Sequence, residues 1–185
     1  MIGVKVGVIS DTHLPKKLES IPQGIFEAFR GVDLIVHLGD ILEPWVLDEL
    51  SLLAPVEAVA GNHDTKRFGP ALLRQKVLEL ADYKVGLIHG DTLGEIHVTR
   101  SNLIDSVYRV IIDPFLEDEV DCILFGHSHR PLIEIYPVTF RSGAIREVLL
   151  FNPGSPTRLR HRPSLGILTL ERRGIIAQLL LPGEL

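Results

Sequence analysis

Apolar and polar positions alternate along this 185-residue chain in a way that predicts strands and helices taking turns through the first half and strands dominating the second. Residues 4–10 form a β-rich apolar run. In 21–30, Ile21, Ile25, Phe26 and Phe29 recur at helical spacing. A second strand is expected at 34–38, a helix at 44–53 with Pro44 suited to its first turn, a third strand at 56–60, and a short helical piece at 70–73. The rhythm then changes. Runs at 76–80 and 84–89, joined by Ala81-Asp82-Tyr83, read as a hairpin. Residues 101–112 set Ile104, Val107, Tyr108 and Ile111 on one helical face, with Pro114 soon after. A short buried strand is expected at 122–125. From Pro131 onward the runs 132–136, 138–141, 145–151, 166–170 and 175–181 all read as strands. A βαβαβ opening followed by a β-rich half predicts a layered α/β sandwich. With no internal repeat and no long linker, residues 1–185 are expected to form one domain.

Composition narrows the class. Apolar residues make up 45% of the chain and charged residues 23%, ordinary values for a globular protein. The single Cys122 has no partner for an internal disulfide and is expected to be a small buried apolar residue. Residues 2–9 enter a strand directly, without a basic stretch or cleavage site, and no apolar run approaches the ~20 residues that span a bilayer. A cytoplasmic protein without a membrane partner is the expectation. The net charge of −5 argues against a broad nucleic-acid footprint.

The chemistry lies at the ends of the apolar runs. Asp11-Thr12-His13, Gly39-Asp40, Gly61-Asn62-His63-Asp64, His89-Gly90 and Gly126-His127-Ser128-His129 each follow a short apolar stretch. In open α/β sheets ligands gather outside the carboxyl ends of strands, where all five fragments fall. Asp11 and His13, one residue apart, can chelate one cation from a single segment. Asp40 has two oxygens and can bridge two cations. Asn62 offers a neutral carbonyl oxygen, His127 and His129 can reach different metals from one loop, and His89 completes the group. Four imidazoles, two carboxylates and one amide suit Mn, Fe, Ni, Co or Zn better than Ca or Mg, and the lack of thiolates argues against a structural zinc site.

In this order, D-x-H, G-D, G-N-H-D, H-G and G-H-S-H resemble the calcineurin-like metallophosphoesterases, and the length together with Asn152-Pro153-Gly154-Ser155 resembles their small single-domain bacterial and archaeal phosphodiesterases, a group that shares its fold with a retromer subunit. The resemblance runs from Asp11 to about Leu170. It implies two mixed β-sheets flanked by helices, two divalent transition-metal ions with manganese the first expectation, and a small phosphate ester as substrate. It implies Asp11, His13 and His129 at the first metal, Asn62, His89 and His127 at the second, and Asp40 between them. It also implies His63 as general acid or charge stabiliser, with Asp64 fixing its ring. A hydroxide held between the two cations would attack phosphorus in line. The cations outweigh two carboxylates and a hydroxide, so the pocket stays positive inside an acidic protein. Relatives often assemble as dimers or larger, so a homo-oligomer, dimer or tetramer, is expected. The same resemblance admits a non-catalytic scaffold, but a scaffold needs neither the complete ligand set nor His63.

Other residues carry open alternatives. Asp64 reads equally as a helix N-cap. His37 is expected to pack in its strand. His97 and His161 receive no role, and many relatives have a histidine where Asp91 stands. Arg158, Arg160 and Arg162 read either as a solvated loop or as a site that captures a phosphate or a partner.

Overall fold

A computed structural model describes residues 3–14, 20–91, 103–157 and 162–181, with side chains of the segment 103–107 left aside. Among the described residues, ten strands form two five-stranded sheets. The first is ordered β10-β9-β1-β2-β3 and the second β4-β5-β6-β8-β7, where β1 is Val4–Ile9, β2 Leu34–His37, β3 Val56–Ala58, β4 Gln75–Leu80, β5 Tyr83–Ile88, β6 Cys122–Leu124, β7 Leu132–Thr139, β8 Ile145–Asn152, β9 Leu165–Glu171 and β10 Gly174–Leu180. Both sheets are mixed: β1, β2 and β3 run parallel, while β9 pairs antiparallel to β1. In the second sheet β5, β6 and β8 are parallel, and β4 and β7 close its edges antiparallel.

Period-two alternation explains the layering. Val6 and Val8 of β1, Cys122 and Leu124 of β6 and Leu168 and Leu170 of β9 fill the space between the sheets. The intervening residues turn outward. Ile9, Ile35 and Ile167 meet the helices α1 (Gln23–Ala28) and α2 (Trp45–Ser51) through Ile25, Phe29, Val46 and Leu50. Ile123, Val148 and Leu150 meet α4 (Leu103–Ile112) and the turn behind it through Ile111 and Phe115. Strands apolar on both faces are what two covered faces demand. The buried thiol of Cys122 is pushed up by its apolar surroundings and joins the core between the sheets.

The differences from the predicted elements are local. The strands expected at 132–136 and 138–141 are one strand, β7, carried through Pro137. β7 is the outer strand of its sheet, and an edge tolerates a residue without an N–H. The first helix is shorter than 21–30 and begins after Pro22. A four-residue helix α3 (Thr65–Phe68) precedes a 3₁₀ turn at Gly69–Ala71 where a piece at 70–73 was expected. The hairpin is joined by Ala81-Asp82 alone, with Ala81 in the left-handed region at φ 53°. In α4, Tyr108 and Ile111 take the inner positions expected of them, whereas the Ile104 and Val107 side chains, like His97, Arg158, Arg160 and His161, lie outside the described residues. Among the described residues, no helix is long and apolar enough to cross a membrane.

Candidate metal centre

Five loops converge at one end of the sandwich because β1, β2, β3, β5 and β6 all deliver their carboxyl ends there. Main-chain bonds fasten the loops together. Asp11 N–H donates to Gly39 O at 3.0 Å, His13 N–H to Asp40 O at 3.1 Å, and Gly126 N–H to His89 O at 3.1 Å. Glycine is required where loops touch. A Cβ on Gly61 would lie 2.2 Å from Asp40 Oδ1, and one on Gly126 would lie 1.9 Å from Ser10 Oγ. Asp11, His13, Asp40, His127 and His129 all hold φ between 44° and 63°. Non-glycine residues rarely adopt this region, and each instance costs about 1–3 kcal/mol unless its surroundings impose it. Five candidate ligands sharing it mark a site whose backbone has been bent to aim side chains.

The side chains meet in two groups, Asp11 with His13 and His129, and Asp11 with Asp40 and His89. His129 Nε2 is 3.3 Å from Asp11 Oδ1, and the Nε2 atoms of His13 and His129 face each other at 3.3 Å across stacked rings. Asp40 Oδ2 lies 3.4 Å from His13 Nε2 and 3.4 Å from His89 Nε2, so one carboxylate oxygen reaches a histidine of each group. His127 stands edge-on to His89 with centroids 5.2 Å apart, and its backbone N–H donates to Asp11 Oδ2 at 2.9 Å. His127 enters neither three-residue group, and Asn62 is exposed on its loop.

Electrostatics agree with a cation site. Burial would raise the Asp11 carboxyl, yet the imidazoles of His129 and His89 outweigh it and hold the group below the usual carboxylate range. Asp40 is likewise pushed down against its burial by His89 beside it and by the His63 N–H. His13 and His127 are pushed down by burial. His89 goes the other way: burial opposes its charge, but Asp40 and Asp11 win and favour positive charge at its ring. His89 Nδ1–H donates to Leu38 O at 2.6 Å, which turns Nε2 toward the carboxylates, the ring orientation a metal ligand needs. Asp11 Oδ1, His89 Nε2, His127 Nδ1 and His129 Nδ1 are buried without a hydrogen-bond partner among the described residues. Buried polar atoms are normally satisfied, and the open Asp11 Oδ1 and His89 Nε2 both lie within the clusters, an oxygen and an imidazole donor that fit a divalent transition metal.

Asp64 departs from both expectations. It stands at the N-cap of α3 without a side-chain cap bond. Its buried carboxylate accepts from Ile41 N at 2.9 Å, Leu42 N at 3.0 Å and Gly61 N at 2.9 Å, and none of its hydrogen bonds among the described residues goes to the His63 ring. Asp64 clamps the Asp40 loop to the Gly61 loop. Asp64→Ala would leave two buried N–H groups and one half-buried one open, each buried one worth about 1–3 kcal/mol. A fall of at least about 2 kcal/mol in unfolding free energy by denaturant titration is expected, and an unchanged midpoint would refute the clamp.

Four supports were assigned no role from the sequence, although Asn152 and Ser155 lie in the Asn152-Pro153-Gly154-Ser155 motif noted above. Ser10 Oγ donates to Asp11 Oδ2 at 2.6 Å, and Ser155 Oγ to Asp11 O at 2.8 Å. Asn152 Nδ2 donates to Gly126 O at 2.8 Å and holds the loop of His127 and His129. His37 is packed in its strand as expected, with burial pushing its ring down to about 3. Its Nδ1 accepts from Gly39 N–H at 3.2 Å, so the Nε2–H donates to Thr12 Oγ1 at 3.1 Å. Polar residues inside otherwise apolar strand ends were the available hint.

The family model of the calcineurin-like phosphoesterase superfamily domain matches residues 4–173. A probable metallophosphoesterase of Methanothermobacter thermautotrophicus is 35% identical over 179 residues, covering 96% of this chain and 92% of its own. Among solved structures, an archaeal phosphodiesterase superposes with a TM-score of 0.63 at 24% identity, covering 96% of this chain and 100% of its own. Vps29 of Entamoeba histolytica in complex with Zn²⁺ superposes with a TM-score of 0.60 at 23% identity, covering 96% and 98%. At these identities the two structures show a shared fold.

Proposed function

Because the chain belongs to the calcineurin-like phosphoesterase superfamily, we propose that it hydrolyses phosphate esters at a centre of two divalent transition-metal ions, as a phosphodiesterase in the first instance. The observation that carries this reading is Asp40 Oδ2, equidistant at 3.4 Å from Nε2 of His13 and of His89. Asp11, His13 and His129 would hold one metal, Asn62, His89 and His127 the other, and Asp40 both. Such ions, when bound, polarise a phosphoryl oxygen and bring the pKa of water toward neutrality.

The remaining work falls to the chain. Asp11 and Asp40 supply the negative charge that retains cations. Ser10 and Ser155 hold Asp11, Asn152 holds the His127–His129 loop, and Leu38 O fixes the His89 ring. Proton transfer falls to His63 in this reading. Its side chain is 56% exposed at the mouth, its ring stands edge-on to His13 with centroids 5.6 Å apart, and Nε2 lies 3.9 Å from Asp40 Oδ2. From there His63 can stabilise charge on a phosphoryl group or protonate the departing oxygen.

Protein stripped with a chelator is expected to be inactive toward phosphomonoesters and phosphodiesters and to recover with Mn²⁺, Ni²⁺ or Co²⁺. Full activity without metal would sink this reading. Metal-loaded protein that cleaves no member of such a panel would favour the second reading, a scaffold of the same fold, which the likeness to Vps29 makes concrete.

A further inference from the structure

Beside the candidate ligands lies an ion pair that metal binding does not use. Arg74 immediately precedes β4. Gln75 pairs with Ile88 across the β4–β5 ladder, so Arg74 lies level with His89 at the end of the sheet where the ligands gather. From the other side, Ala60 N–H donates to Leu73 O at 2.8 Å, which draws Arg74 toward the loop carrying Asn62 and His63. Its guanidinium donates through Nη2 to both carboxylate oxygens of Asp91, two residues past His89. The Asp91 side chain is 11% exposed and that of Arg74 44%. Asp91 is close enough to His127 for its charge to be felt at that ring.

A brace is a poor reason for such a pair, because an ion pair whose guanidinium is open to solvent contributes about 0–1 kcal/mol. The arrangement does something else well. Asp91 immobilises one nitrogen, and among the described residues Nε and Nη1 have no hydrogen-bond partner. A guanidinium already fixed loses little side-chain freedom on binding, and its planar fork matches two oxygens of a phosphate. We propose that Arg74 binds the phosphate group of the substrate through its Nε and Nη1 donors, on the side of the centre lined by Asn62, His89 and His127, with Asp91 as the positioning residue. This rests on the phosphoesterase reading above.

The test uses the full-length metal-loaded protein and three variants, Arg74→Ala, Arg74→Lys and Asp91→Asn. Metal content, melting temperature, kcat and KM for an ester the wild type cleaves, and calorimetric binding of inorganic phosphate are compared. Arg74→Ala should keep its metals and melting temperature, bind phosphate about tenfold or more weakly, and raise KM more than it lowers kcat, as expected for losing hydrogen bonds to a charged group. Arg74→Lys should recover only part of that affinity, because a point charge lacks the fork. Asp91→Asn should weaken phosphate binding by a smaller factor. Unchanged phosphate affinity and KM in Arg74→Ala overturn the inference. If Arg74→Ala fails to fold, wild-type phosphate affinity in Arg74→Lys overturns it equally. A wild type that cleaves no ester refutes the phosphoesterase reading, while the phosphate titrations still decide whether Arg74 belongs to an anion site.

Discussion

Asp40→Asn is expected to empty both metal positions, with affinity for each cation falling by at least about 100-fold. The substitution keeps size and shape. An amide oxygen in place of Oδ1 can still accept the His63 N–H at 3.0 Å, so the loop should keep its path. What disappears is the negative charge on Oδ2, which faces Nε2 of both His13 and His89. Substitutions that merely orient a ligand cost 10–100-fold in metal affinity, and loss of a shared ligand should cost more. Asp11 alone would remain to offset two cations. Elemental analysis of protein purified without chelators, beside a thermal melt, checks this. Two tightly held metals per chain in the folded variant would show that Asp40 does not join the sites.

His63→Ala should leave the metals in place and abolish most turnover, by ~10²–10⁴ in rate. His63 is tied to the centre through its backbone, whose N–H donates to Asp40 Oδ1, while its ring stands 56% exposed at the mouth. Truncating the ring therefore removes a proton donor or charge stabiliser without opening the cluster. The loss should be largest for diesters with poor leaving groups, since a nitrophenolate departs with little help. His127 provides the contrast. Its ring packs edge-on against His89 with Nδ1 buried. His127→Ala should lose metal and activity together. If His63→Ala loses metal in the same way, His63 is a ligand and its acid role is wrong.

Much of this was legible before any coordinates. Each chemistry-bearing fragment is contiguous and follows an apolar run, so alternation alone put Asp11, Asp40, Asn62, His89 and His127 at strand ends. The change of rhythm near residue 76 pointed to a layered α/β sandwich, and the family resemblance supplied the two mixed sheets flanked by helices. The misreadings were of local conformation. A proline is a reasonable place to break a strand, and only the position of β7 at a sheet edge makes Pro137 acceptable within it. Asp64 directly before a helical stretch is a reasonable cap, and only the packing of the Gly61 loop against the Asp40 loop gives its carboxylate three other donors.

By itself, then, the sequence determined the family, the order of the elements and the residue types that gather at one end of the sheets, because these depend on short contiguous patterns and on period-two alternation. The tertiary structure decided what holds those residues in place. Ser155 reaches Asp11 across 144 positions and Asn152 reaches Gly126 across 26. Arg74 and Asp91 meet only because β4 pairs with β5. Five candidate ligands take left-handed backbone conformations that no local preference would choose. Such contacts depend on which strands become neighbours and which faces meet, and local propensity carries no record of either.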